Sequence, residues 1–541
     1  MNGRGASWRR CWPVLALLGV AAAARFAVPD RYPSGFAQHA VAHNELATAF
    51  VEAMAARWSG IDVALPDITQ QFGLMSFLQA LAFFALGVGF RQAMVLAALF
   101  GVLAVAVAYL AGREIAGHRA GLASAVLLAG SSWHLAFSRY GDPEHSLPVL
   151  QFLLTLWLAF VAVRRRSAPL ALLLGLIAGL SWYVYGTNQV VPLMLLLWMP
   201  LLARRFGRPG WAWAVAAVAG CAASSWPAVA RSLELGSVFP VRAGLRLGGR
   251  YELLGAVEAL EQVPQVLTQL FVESTDAWFA RPGGVFPIVG ALLLVGGVAL
   301  LVGAARRRAD RPTALLLLVS LALAFLPGVA SLGTGARRLL LVPTVGVFVQ
   351  AWCATWLLDR PAVARACGRW RPLLGAVAGV AWLAWGVTDY FWRVRQSESA
   401  WHESHTQVAR YVAAQLGRGH LAVLSEDAID ADDAASFVGF AAYETLRRAR
   451  RGGGPPAPLF TVVDVSTHGS LAAACAALPA GAAERLRLVA PTDLVERFRY
   501  QAGNVPAGTV IAEFARRGRQ RQRFVWEATC PRASGRSGGP P

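Results

Sequence analysis

The sequence predicts an α-helical polytopic membrane protein of about eleven transmembrane helices with a soluble α/β domain at its C-terminal end. Three observations predict it. The 541-residue chain is 56% hydrophobic but only 15% charged, whereas soluble domains average nearer a quarter. The apolar residues gather in runs of roughly 17–22, the length needed to cross about 30 Å of hydrocarbon as a helix. Arginines cluster in every second connection between those runs. Short alternating strands, the mark of a β-barrel, are not the pattern.

Residues 1–10 carry Arg4, Arg9 and Arg10 ahead of the apolar stretch 11–28. A signal peptide is the competing reading of that stretch, because Ala21–Ala24 offers small residues for cleavage. Further spans are expected at 92–112, 120–138, 146–163, 168–183, 190–202, 211–226, 285–304, 312–330, 339–358 and 372–391. Cytoplasmic connections then hold Arg113 and Arg119, Arg164–Arg166, Arg204, Arg205 and Arg208, Arg306–Arg308 and Arg311, and Arg360–Arg371, as the positive-inside rule requires. The apolar run 72–89 would invert every later loop if it spanned. It reads instead as an interfacial helix inside a long first outer loop, 29–91. Residues 1–391 thus form the membrane domain.

An odd number of spans leaves residues 392–531 outside the cytoplasm. Strands are expected at 420–425, 459–465, 485–489, 509–514 and 523–527, with helices between them, as in a small parallel or mixed sheet. Residues 532–541, mostly Gly, Ser, Arg and Pro, read as a disordered tail. Cys475 and Cys530 both fall in the soluble part and can pair there if it is extracytoplasmic.

The net charge of +19 does not indicate nucleic acid. All the basic residues are arginines, and they mark loops between apolar runs instead of tracking a phosphate backbone. No Rossmann fingerprint, P-loop, HExxH or GxSxG motif occurs in the tail. A transporter would carry ionisable groups at mid-membrane in paired halves, and no repeat is visible.

Ionisable groups at the outer face are the candidates for chemistry. The first loop supplies Asp30, Arg31, His39, His43 and Glu45. His39 and His43 are four apart and share a helix face, a spacing that can hold a divalent metal, although two imidazoles alone do not make a site. The second outer loop packs Arg139, Asp142, Glu144 and His145 into eight residues. Asp142 or Ser146 can equally cap the next helix. In the third, Arg337 and Arg338 open a spanning helix, against both dipole and sidedness, unless they meet an anion such as phosphate.

Four stretches then resemble the GT-C superfamily of membrane glycosyltransferases, in the bacterial branch related to protein O-mannosyltransferases and aminoarabinose transferases. They are 90–139, ending in Ser138 and Arg139; Tyr183, Tyr185 and Pro192, with Gln189 where Arg is usual; 269–287; and Leu326 and Pro327 through Arg337, Arg338 and Pro343. The resemblance implies transfer of a sugar from a polyprenyl-phosphate donor to a lipid, glycan or protein acceptor at the outer membrane face. It assigns donor phosphate to Arg139, Arg337 and Arg338, with Tyr183 and Tyr185 beside it. Acid–base work falls to Glu45, His39, Asp142 and Glu144. The family's first-loop acidic pair is replaced here by Gln38 and His39. The alternative is therefore a non-catalytic relative that binds a lipid-linked glycan and partners another envelope enzyme.

Overall fold

The computed structural model describes residues 3–27, 38–69, 73–207, 211–234, 256–272, 284–330 and 336–396, and beyond residue 397 five strands and a few helical positions. The chain forms two compact units. The first comprises Met1–Pro33, Leu46–Leu86 and Arg91–Ser397; the second comprises Ser34–Glu45, Gly87–Phe90 and Glu398–Pro541. Asp30, Arg31, Cys475, Cys530 and the tail 532–541 lie outside the described residues.

The helices run α1 (Gly3–Phe26), α2 (Gln38–Trp58), α3 (Gly73–Leu86), α4 (Phe90–Ala116), α5 (His118–Ala129), α6 (Ser132–Phe137), α7 (Ser146–Arg165) and α8 (Ala168–Gly179). They continue with α9 (Val191–Phe206), α10 (Trp211–Glu234), α11 (Ala256–Phe271), α12 (Ile288–Ala305), α13 (Arg311–Val329), α14 (Leu341–Asp359), α15 (Pro361–Cys367) and α16 (Arg371–Gln396). Among the described residues, eight helical stretches are long and apolar enough to cross a bilayer, and Trp12–Phe26, Gly73–Leu86 and Ala168–Tyr183 are shorter apolar helices. The chain is a multi-pass helical membrane protein. Among those eight stretches α7 and α14 are the most enclosed, and both are predominantly apolar, as interior helices are.

Three elements depart from the sequence reading. The span expected at 120–138 is broken into α5 and α6 at Gly130 and Ser131. A side chain at Gly130 would strike the indole of Trp382, and Gly386 of α16 lies against the Gly130 carbonyl. Ser131 Oγ meanwhile donates back to the Leu127 carbonyl at 2.6 Å. Close backbone approach therefore replaces helical continuity. Helices α2 and α11 also form in stretches expected to be outer loops, 29–91 and the connection between the spans 211–226 and 285–304. The helix expected at 72–89 is α3, whose 14 residues rise about 21 Å, short of a ~30 Å hydrocarbon core. Gly386→Ala would put a methyl group into the Gly130 backbone. Overpacking of this kind costs about 1–3 kcal/mol, so the unfolding midpoint of the purified chain is expected to fall; an unchanged midpoint would show the α5–α16 contact to be loose.

The ends of the first unit are chemically distinct. At one, Arg164 pairs with Glu114 at 3.0 Å and Arg119 with Asp359 at 3.0 Å. There Arg371 also meets Asp359, and Arg205 donates to the Glu114 and Ile115 carbonyls at 3.1 Å each. The arginine-rich connections are thus gathered together, as their alternation predicts.

The second unit contains a mixed five-stranded sheet of β1 (Leu421–Ser425), β2 (Phe460–Asp464), β3 (Leu486–Pro491), β4 (Thr509–Phe514) and β5 (Arg523–Ala528), in the order β2-β1-β3-β5-β4. β1 is parallel to β2 and β3, and β5 is antiparallel to β3 and β4. Parallel neighbours need long crossovers, and most of those connections lie outside the described residues. Phe90 of this unit packs edge-on against Phe440 at 5.1 Å, with the Arg410 guanidinium over its ring.

Candidate active site

The turn between α6 and α7 holds a cluster of buried ionisable side chains. Arg139, Asp142, Glu144 and His145 are all buried there. Gly141 adopts a φ of +95°, a left-handed conformation that L side chains rarely take. It bends the chain so that the Asp142 carboxylate accepts from the Glu144 N–H at 2.8 Å, an Asx turn with Pro143 between. The α7 N-cap position is His145, whose own side chain makes no cap hydrogen bond. Asp142 closes the turn that leads into the helix. A carboxylate oxygen of Asp142 and one of Glu144 lie within 4.8 Å of each other.

Aromatic rings wall this acidic pair. His145 stacks on Phe137 with centroids 4.5 Å apart, meets Tyr140 edge-on at 4.9 Å and lies against Tyr185 at 5.3 Å. Its Nδ1 is 3.7 Å from Glu144 Oε2. Tyr183 is buried and Tyr185 half-buried. Their segment is pinned to α7 by Asn188, whose Nδ2 donates to the Pro148 carbonyl at 2.8 Å and to Gln151 Oε1 at 2.6 Å.

Arg139 is buried, and its donors meet backbone carbonyls and a tyrosine. Nε donates to the Tyr390 hydroxyl at 3.1 Å, and the terminal nitrogens donate to the carbonyls of Ala24, Arg25 and Ala27 at 3.0, 2.7 and 2.7 Å. The guanidinium thus closes the C-terminal end of α1, whose last carbonyls lack helical partners. Arg25 returns the tie: its guanidinium donates to His134 Nδ1 at 2.7 Å and to the Ala21 carbonyl at 3.1 Å. An arginine has no acceptor atoms, so His134 accepts through Nδ1 and carries its proton on Nε2. Arg25, His134 and Tyr390 were not singled out in the sequence reading. A cation and an imidazole inside apolar runs were the available signal.

Arg337 and Arg338 are half-buried on the single 3-10 turn Ala336–Leu339. That turn packs beside the 3-10 turn Gly186–Val190 that follows Tyr185. The Asp142 turn, the two tyrosines and the arginine pair therefore share the end of the bundle opposite the arginine-rich connections. Of the first-loop candidates, His43 and Glu45 are half-buried on α2 and belong to the second unit. His39 opens the same helix, and its side chain lies outside the described residues.

Residues 73–226 match the family model described as dolichyl-phosphate-mannose-protein mannosyltransferase. Among solved structures, ArnT from Cupriavidus metallidurans bound to undecaprenyl phosphate is 14% identical, with a TM-score of 0.53 over 96% of this chain and 98% of that one. The same protein in the apo state gives 14% identity and a TM-score of 0.51 over 97% and 98%. No curated protein matches by sequence. The chain therefore shares the fold of ArnT.

Proposed function

We propose that this GT-C-fold protein is a membrane glycosyltransferase that moves a sugar from a polyprenyl-phosphate donor to an acceptor at the outer face of a bacterial inner membrane, with its C-terminal domain extracytoplasmic. The observation that carries the reading is the buried Asp142–Glu144 pair at the same bundle end as the Arg337–Arg338 turn. Ionisable groups are costly to bury near lipid, and those that are kept there mark functional sites.

In the displacement, an acceptor hydroxyl forms a bond to the sugar's anomeric carbon as the bond from that carbon to the phosphate oxygen breaks. The polyprenyl phosphate leaves with the electron pair. The hydroxyl proton passes to a carboxylate of the Asp142–Glu144 pair acting as general base. Arg337 and Arg338 hold the phosphate by charge-assisted hydrogen bonds, and Tyr183 and Tyr185 line the approach. Arg139, with its donors engaged by α1 and Tyr390, is reassigned from phosphate ligand to positioning residue. Two carboxylates this close and buried also suit a divalent cation, which takes oxygen donors. Asp142 and Glu144 would hold it, and it would supply positive charge beside the departing phosphate.

The test is turnover by the full chain, purified in detergent, with a panel of radiolabelled polyprenyl-phosphate sugars. Released polyprenyl phosphate is the expected product, and a folded protein that releases none from any donor overturns the reading. Arg338→Ala and Arg337→Ala are each expected to weaken undecaprenyl-phosphate binding about tenfold, the equivalent of one charged hydrogen bond. Affinity unchanged in both variants would place the phosphate elsewhere.

A further inference from the structure

Four neutral side chains around the Tyr183–Tyr185 segment hold polar atoms that no described residue satisfies. Gln79, on the buried face of α3, is 1% exposed, and neither the oxygen nor the nitrogen of its amide has a hydrogen-bond partner among the described residues. Ser146, which opens α7, and Ser181, on the 3-10 turn Leu180–Tyr183, are fully buried, and the Oγ of each is likewise without a partner there. So is the buried Nε2 of Gln189, on the turn Gly186–Val190. The elements that carry them meet: the Leu180–Tyr183 turn packs on α3, on α7 and on the Gly186–Val190 turn. His145, next to Ser146, lies 5.3 Å from Tyr185, and Asn188, next to Gln189, donates to the Pro148 carbonyl at 2.8 Å.

A buried polar group without a partner costs stability that an apolar side chain of the same shape would not. Four of them on adjoining elements make a place where a ligand's own polar groups complete the bonds. The chemistry of that ligand follows from theirs. A serine hydroxyl both donates and accepts, and a glutamine amide offers an acceptor oxygen beside a donor nitrogen. Such groups suit hydroxyls, which also do both. None of the four carries a charge. The ionisable groups of this bundle end have other work, since the carboxylates take the acceptor's proton and the Arg337–Arg338 turn holds the phosphate. We propose that Gln79, Ser146, Ser181 and Gln189 form the subsite for the donor's sugar, and that this sugar is an uncharged, polyhydroxylated hexose or pentose. For the lipid-phosphate carrier of that sugar the subsite rests on the transferase reading.

The experiment is isothermal titration of the full chain in detergent with undecaprenyl phosphate, bare or carrying glucose, mannose, arabinose, glucuronic acid or an amino pentose. At least one neutral sugar is expected to tighten binding about tenfold or more over the bare lipid, the worth of one well-made hydrogen bond or better. Gln79→Leu should bring the affinity back to that of the bare lipid. It should also keep or raise the unfolding midpoint, because it replaces an unpaired buried amide with an apolar side chain of similar size. Neutral sugars that add nothing, or a charged sugar that outbinds them, overturn the subsite. So does a gain untouched by Gln79→Leu, or a midpoint lowered by it, which would leave the amide to ordered water or to packing. Ser181→Ala, a loss of one oxygen, gives the same reading if Gln79→Leu does not fold. Tighter binding of a neutral donor with no sugar release removes the transferase reading and leaves the subsite standing. Release of a charged sugar alone does the reverse.

Discussion

Asp142→Asn and Glu144→Gln are each expected to lower sugar transfer by about two to four orders of magnitude, the range of a positioned acid–base group. The isosteric change keeps the shape of the turn. Asp142→Asn retains a carbonyl oxygen that can still accept from the Glu144 amide, so the Asx turn and the fold should persist. What it removes is charge from a buried pair whose oxygens lie within 4.8 Å of each other. The sign of the binding effect separates a chemical role from a structural one. Taking a negative charge away from an anion site leaves undecaprenyl-phosphate affinity equal or tighter, while turnover collapses. If both variants turn over at the parent rate, the carboxylates are not the reaction centre and the non-catalytic alternative takes their place.

Arg139→Ala is expected to destabilise the first unit by at least about 3 kcal/mol, because it strands three carbonyls and a tyrosine hydroxyl in an apolar setting. Arg139→Lys should recover little. A lysine presents a compact point charge and cannot reach that set of acceptors as a planar fork does. The measurement is the unfolding midpoint of the purified chain, followed with undecaprenyl-phosphate binding on whatever fraction stays folded. A phosphate ligand would behave oppositely, keeping its melting point and losing affinity. That opposite result would return Arg139 to the donor site.

The helical part of the fold was legible because its physics is local. Apolar runs and alternating arginines report solvent and sidedness residue by residue, and the pairings Arg164–Glu114 and Arg119–Asp359 show those connections gathered at one end. The five strands fall within a few residues of their expected limits for the same reason. The break in 120–138 was not legible. It is imposed by Trp382 and Gly386, some 250 residues along the chain, and Trp382 Nε1 even donates to the Leu127 carbonyl. Helices α2 and α11 escaped because His39, His43, Glu45 and Glu52 in one, and Pro264 with its glutamates in the other, give loop-like composition to amphipathic helices. In the site, the crowding of Asp142, Glu144 and His145 stood out from sequence alone. The destination of Arg139 could not, since a guanidinium suits backbone carbonyls as well as phosphate and only the fold decides between them.

The clasp between α1 and the 138–145 turn bears on how the chain is made. Severing the leader after Ala24 would detach one of the carbonyls that Arg139 binds and would part Arg25 from the helix that presents it to His134. Arg139 follows Arg25 by 114 residues, so the carbonyls at the end of α1 gain these donors only once that stretch has been synthesised.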